Sequence, residues 1–280
     1  MLKVDLHCHS TCSDGTLAPA EVVARAVARG CEMLALTDHD VVHGLPEARR
    51  MALQLGLRFL DGVEISVSWD GITIHVVGLN IDPTHPQLLT GLESVRAGRT
   101  LRAEQMAADL ARIGIGGSFE GALAFAGNKD MVSRTHFARF LVDSGKVKDI
   151  KTAFKKYLVK GKPGYVPHQW AELNDAVGWI RAAGGRAVLA HPGRYEIGKA
   201  RMLRLLTDFK AAGGEAVEVV TSNHTAQHII QFTRLAQEFG LLASCGSDFH
   251  GPGEGYADIG ILPDMPLSCT PVWHDWALGV

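Results

Sequence analysis

Residues 1–40 read MLKVDLHCHSTCSDGTLAPAEVVARAVARGCEMLALTDHD. Leu2–Leu6 is a short apolar run of strand type. Pro19 to Arg29 carries helical spacing, with proline in its first turn and Gly30 just past its end. Met33–Thr37 is a second strand, apolar without alternation. Such continuous apolar strands, separated by a helix, argue for parallel neighbours covered on both faces.

The alternation continues outward. A helix at Leu45–Leu55 closes on Gly56, and strands Phe59–Val67 and Ile72–Leu79 meet at Asp70-Gly71, a hairpin signal. Further on come helix Leu173–Ala183, strand Ala187–Ala190, helix Ala200–Ala212, strand Ala216–Val220, helix His224–Phe239 and strand Leu241–Cys245. Repeated βα units of this kind form a barrel or an open doubly wound sheet.

Between about Pro86 and Pro167 the rhythm breaks. Helical patterns follow one another at Ser94–Ile113, Phe119–Ala126, Ser133–Val142 and Val147–Leu158, with no convincing strand. The expected division is an α/β domain at residues 1–85 and 168–280, with a helical insertion at 86–167 that covers the site as a basic lid. Residues 129–162 hold ten Lys/Arg against three Asp/Glu, a local +7; the whole chain carries −2, leaving −9 elsewhere. A basic lobe against an acidic body suggests an anionic ligand between them.

Composition excludes other classes. With 280 residues, 46% hydrophobic and 21% charged, the chain has ample material for a core and is not disordered. Near-neutral charge excludes a polycation built to coat nucleic acid. No apolar run approaches the ~20 residues that span a bilayer. Asp5 and His7 come too early for a signal peptide, and the five cysteines are an odd number without framework spacing. The expectation is a cytoplasmic protein with no membrane and no obligate protein partner.

The chemistry gathers at strand ends. His7-Cys8-His9 ends the first strand, where alternate side chains face one way and Cys8 faces the other. Asp14 follows in a glycine-containing loop. Thr37-Asp38-His39-Asp40 ends the second strand, and Glu64 lies in the third. His75 lies inside an apolar strand, where an unpaired imidazole is costly to bury. Ala190-His191-Pro192-Gly193 and Ser247-Asp248-Phe249-His250 end two more strands. Barrel active sites sit at the C-terminal ends of strands. A mixed imidazole and carboxylate set suits Zn, Mn or Fe rather than Ca or Mg, and nine candidates exceed the four a structural zinc uses. Glu64 is the candidate to bridge two cations. Clustered cations lower the pKa of a bridging water and neutralise phosphoryl oxygens.

Other motifs fail. Gly114-Ile115-Gly116-Gly117 lacks the strand–turn–helix context of a dinucleotide fingerprint, and neither a phosphate loop nor a GxSxG elbow is present. His43, His85, His168, His224, His228 and His274 have no patterned partners.

At DLHCHSTCSDG (5–15), LALTDHD (34–40), GVEIS (62–66), His75, AHPGRY (190–195) and GSDFHG (246–251), the chain resembles the PHP (polymerase and histidinol phosphatase) family of metal-dependent phosphoesterases. The resemblance implies a distorted (β/α)7 TIM-like barrel and two or three divalent cations, Mn2+ first, with Zn2+ or Fe2+ as alternatives. It places His7, His9, Asp248 and Glu64 on a first cation. It places Asp14, His39 and His250, also the expected catalytic group, on a second, and Glu64, His75 and His191 on a third. SRTHFAR (133–139) and YLVKGKP (157–163) resemble a bacterial subgroup acting on nucleotide phosphates. Its members remove the 3′-phosphate of nucleoside 3′,5′-bisphosphates or trim short RNA and DNA from a 5′-phosphate. A bisphosphate needs cations at one phosphate and a basic clamp at the other. Arg134, with its forked guanidinium, leads the clamp candidates, followed by Thr135, Arg99, Arg102, Lys160 and Arg194. The expected activity is a phosphomonoesterase on a small nucleotide. Alternatives are a 5′→3′ exonuclease on short oligonucleotides and a non-catalytic metal-binding accessory module.

Overall fold

The computed structural model describes residues 2–255 and 257–276. The first half-barrel is built from β1 (Val4–Asp5), α1 (Pro19–Ala28), β2 (Met33–Leu36), α2 (Leu45–Leu55), β3 (Arg58–Trp69) and β4 (Ile72–Leu79). Five helices follow: α3 (Pro86–Arg96), α4 (Arg99–Arg112), α5 (Ser118–Ala124), α6 (Arg134–Asp143) and α7 (Ile150–Ala153), the last running into a π-helical turn at Phe154–Leu158. The barrel resumes with β5 (Ala171–Glu172), α8 (Leu173–Ala182), β6 (Arg186–Leu189), α9 (Lys199–Ala211), β7 (Ala216–Thr221), α10 (Ala226–Phe239) and β8 (Leu242–Gly246).

Seven strands form the path β1-β2-β3-β4-β6-β7-β8, and β5 pairs with β3 beside it. The ring closes between its ends through the Cys8–Phe249 bridge and a bond from the Leu6 amide to the Cys245 carbonyl at 3.0 Å. The result is the distorted seven-stranded α/β barrel expected. The hairpin expected at Asp70-Gly71 is present, and it corrects the reading that continuous apolar strands are parallel: β4 breaks the pattern on both of its edges. β4 runs antiparallel to both β3 and β6, while the other neighbours on the path are parallel. The Asp70-Gly71 turn explains it. Both residues take positive φ, 48° and 74°, so the chain reverses in two residues and β4 must return against β3. Val76, Val77 and Leu79 are nevertheless buried on both faces of that strand, so apolar continuity reports burial and not direction.

The single helix expected at Ser94–Ile113 is two. The break falls at Ala97-Gly98, where a Cβ on Gly98 would lie 2.2 Å from the His168 ring. The break also separates two cores. Leu88, Leu92 and Val95 of α3 pack with the barrel, while Ala103, Met106 and Leu110 of α4 join Phe137, Leu141, Leu158 and Val166 in a second core. The two-residue strand β5 is too short to leave a periodic signal.

α3 lies against α8 at Gly91, where a Cβ would meet the Trp179 ring at 2.3 Å. Gly91→Ala adds up to about 1 kcal/mol of helix propensity, but overpacking costs about 1–3 kcal/mol and wins. The urea midpoint of the variant is expected to fall at unchanged slope; a rise would show that α3 does not seat on Trp179.

Candidate metal centre

The β1 and β2 chain ends supply the first ligands. The His7 and His9 side chains are fully buried on one side of the chain, and Cys8 turns away to place Sγ 3.2 Å from the Ala35 carbonyl. Glu64, fully buried in β3, stands at the centre. Its Oε1 lies 2.7 Å from His75 Nδ1, 3.1 Å from His191 Nε2 and 3.2 Å from His7 Nε2. Its Oε2 lies 2.9 Å from His39 Nδ1 and 3.3 Å from His9 Nε2. Asp248 Oδ1 sits 3.3 Å from His9 Nε2, and Asp14 Oδ1 sits 3.3 Å from His250 Nε2 and 3.8 Å from His39 Nε2.

Three groups of donor atoms lie within 4.8 Å of one another: His7, His9, Glu64 and Asp248; His9, Asp14, His39 and His250; and His39, Glu64 and His75. The first is the set expected for one cation. The second adds His9 to the expected Asp14, His39 and His250. The third pairs His75 and Glu64 with His39, and His191 approaches Glu64 Oε1 separately.

Buried polar atoms without hydrogen-bond partners concentrate here: His7 Nε2, both ring nitrogens of His9, Asp14 Oδ1, His39 Nδ1 and Glu64 Oε2. Such orphans are costly unless a ligand meets them. Divalent cations fit, because the orphans belong to imidazoles and carboxylates, the groups that Mn, Zn and Fe accept, with one of the two His9 nitrogens supplying a lone pair.

The charge states agree with this. Burial would raise Glu64, but His7, His75 and His39 outweigh it and hold the carboxyl well below its ordinary range. Burial, then His250 and His39, push His9 down to about 3. Burial and Arg194 push His191 down to about 3. Both rings are therefore neutral, the form that binds metal. Burial would lower His250 as well, but Asp14 and Asp248 outweigh it and raise it to about 9.

A surrounding layer orients these ligands, and the sequence reading missed it. Glu218, in β7, places Oε1 2.8 Å from His7 Nδ1 and accepts the His191 amide on Oε2 at 2.5 Å. A glutamate inside the apolar run Ala216–Val220 was the available signal. Asp38 accepts from the Ser10 amide at 2.7 Å and from the Ser10 and Ser13 hydroxyls at 2.6 Å, fixing the loop that carries Asp14. Tyr195 Oη accepts the His75 amide at 2.9 Å and donates to the Ala190 carbonyl at 2.8 Å. Asp40, His191 and Asp248 take φ of 50°, 29° and 54°, backbone strain of the kind that collects at functional sites.

The expected clamp residues divide. Arg134 opens α6, half-buried, with its guanidinium 5.8 Å from the Phe154 ring centroid. Arg102 donates from Nε to the Val166 carbonyl at 3.0 Å and is pushed down to about 9 by burial, then by Arg134 and Arg99. Arg99 forms a buried ion pair with Asp40 and stacks on Trp170 at 4.7 Å, so its charge is already engaged. The Thr135 amide donates to Ser133 Oγ at 3.1 Å. Arg194 pairs with Asp248 at the cation groups, and Lys160 is exposed on the loop after the π turn.

The PHP domain family model matches residues 5–162. A 3′,5′-nucleoside bisphosphate phosphatase of Chromobacterium violaceum is 55% identical over 98% of this chain and 96% of its own. A 5′-3′ exoribonuclease of Haemophilus influenzae is 44% identical over 97% of this chain and 98% of its own. A structure described as an amidohydrolase from C. violaceum, with bound sulfate and no metal, superposes with a TM-score of 0.95 at 55% identity, covering 97% of this chain and 94% of that one.

Without cations, His250 holds its proton up to about pH 9, stabilising the fold fully below its unfolded value and losing that contribution as pH rises through 9. A cation must displace that proton. Mn2+ affinity is therefore expected to rise from pH 6.5 towards pH 9, with proton release seen calorimetrically in buffers of different ionisation enthalpy. Affinity independent of pH, with no proton released, would remove His250 from the ligand set.

Proposed function

The chain belongs to the PHP domain family, and from that premise we propose that it removes the 3′-phosphate of nucleoside 3′,5′-bisphosphates as a metal-dependent phosphomonoesterase. One observation carries this reading. Ser133 touches the cation-group residue Asp14 at 3.0 Å, and the next residue, Arg134, begins the arginine group, so a cation centre and a cationic clamp stand side by side. That pairing suits a substrate with two phosphates.

Two or three cations, Mn2+ foremost, would be held by His7, His9, Glu64 and Asp248, by Asp14, His39 and His250, and by Glu64, His75 and His191. When bound, they supply an activated water and neutralise phosphoryl oxygens. The chain does the rest. Glu64 stays ionised because His7, His75 and His39 outweigh the cost of its burial. His9 and His191 stay neutral and present lone pairs. Glu218 and Tyr195 fix His7 and the His75 backbone, which keeps the donors preorganised. Arg134 receives the 5′-phosphate with Thr135 beside it, and Arg102 adds charge. The helical segment that follows α3, with its own core, acts as the lid that brings this clamp to the barrel, while α3 packs with the barrel itself. No covalent nucleophile is required: Cys8 faces away from the donors. The free thiols suit the cytoplasm, and among the described residues no helix is long and apolar enough to cross a membrane.

The second reading is a 5′→3′ exonuclease on short 5′-phosphorylated oligonucleotides. It is favoured by the 44% identity to the H. influenzae exoribonuclease and uses the same cations and clamp. Comparing turnover of adenosine 3′,5′-bisphosphate with that of a 5′-phosphorylated pentanucleotide separates them. The first reading predicts the higher kcat/KM for the bisphosphate; a better oligonucleotide substrate overturns it. Arg134→Ala is expected to lower kcat/KM for the bisphosphate about 10- to 100-fold, the worth of charge-assisted hydrogen bonds. Adenosine 3′-monophosphate, which lacks the second phosphate, is expected to change little. Equal losses on both substrates would take Arg134 out of the clamp.

A further inference from the structure

Asp14 is held entirely from the helical segment on the side away from the imidazoles. Ser133, the N-cap of α6, donates its hydroxyl to Asp14 Oδ2 at 3.0 Å. Arg139, one helical stretch further along α6 and 6% exposed, donates from Nη2 to the Asp14 carbonyl at 2.6 Å. The same guanidinium pairs with Glu254 through Nε at 2.9 Å and Nη2 at 2.6 Å, tying down the loop that follows His250. Gly127 closes the contact: a Cβ there would lie 2.6 Å from the Thr11 carbonyl, so the helical segment presses directly on the 10–15 loop.

The two oxygens of Asp14 are thereby divided. Oδ2 is anchored by Ser133, and Oδ1 is left as a buried orphan 3.3 Å from His250 Nε2, facing the second donor group. Ser133 is itself fixed, since its Oγ accepts the Thr135 amide at 3.1 Å and its own amide donates to His136 Nδ1 at 3.0 Å. A carboxylate tethered at one oxygen and at its carbonyl has one orientation left for the other oxygen.

We propose that Ser133 and Arg139 are positioning residues that create the second cation site, so that the site made by Asp14, His39 and His250 exists only while α6 is docked on the barrel. The first site draws His7, His9, Glu64 and Asp248 from barrel strands and loops and needs nothing from α6. The two cations therefore depend differently on the helical segment. The inference rests on reading the donor cluster as a multi-cation centre, but not on which phosphoester is cleaved.

Mn2+ binding to metal-stripped protein, followed by the electron paramagnetic resonance of free Mn2+, tests this. Wild-type protein is expected to bind at least two ions. Ser133→Ala is expected to weaken one of them about 10- to 100-fold, the usual effect of removing a partner of a ligand, with the other unchanged. Ser133→Thr, which keeps the hydroxyl, is expected to restore it, and Arg139→Lys to fall between. A merely structural role would lower the melting temperature without separating the two ions. Two unchanged ions in Ser133→Ala, or equal weakening of both, overturns the positioning role. Fewer than two ions in the wild type overturns the multi-cation reading itself.

Discussion

A single buried negative charge organises this protein. Glu64 is fully enclosed in β3, and a carboxylate there is tolerable only if positive or polar groups surround it. Five imidazoles do so, from β1, β2, β4 and β6 or the turns that follow them. Burial, then repulsion from His250 and His39, drives His9 down to about 3, while His7, His75 and His39 keep Glu64 ionised. The cluster is thus neither a salt bridge nor an apolar core. Its orphaned nitrogens and oxygens are satisfied best by cations, and that requirement links the fold to hydrolytic chemistry.

The barrel makes the cluster possible because most of the side chains come from strand termini on one face. Strand ends alone give only approximate direction, and a second set of carboxylates supplies the rest. Glu218 joins His7 to the His191 backbone, Asp38 gathers Ser10 and Ser13, and Asp5 accepts the amides of Ser247 and Gly260 at 2.9 and 2.7 Å. Each is buried and multiply bonded, so each pins two separate segments to a common frame. The helical segment extends this logic by reaching Asp14 from outside the barrel.

Much of this was legible in the residues. Histidines and acids at strand ends pointed to the barrel face and the donor set because period-two geometry and burial cost act locally. The turn at Asp70-Gly71 was legible for the same reason. What escaped depended on distant partners. Nothing near Arg99 announces that it pairs with Asp40, so it read as a free clamp residue when its charge is engaged. Glu218 carries no motif, and its role appears only when β7 lies beside β6. The antiparallel pairing of β4 with β6 was hidden because a strand covered on both faces is apolar throughout, whichever way it runs. The break at Gly98 was masked by helical periodicity on both sides, and the His168 ring packed against it leaves no room for a side chain there.

The most direct test is anomalous diffraction from crystals of the protein grown with Mn2+, recorded near the manganese edge. The account predicts at least two peaks, one among His7, His9, Glu64 and Asp248 and one among Asp14, His39 and His250, with Glu64 in contact with more than one ion. Peaks elsewhere, or a single ion that leaves Asp14 and His250 uncoordinated, would contradict it.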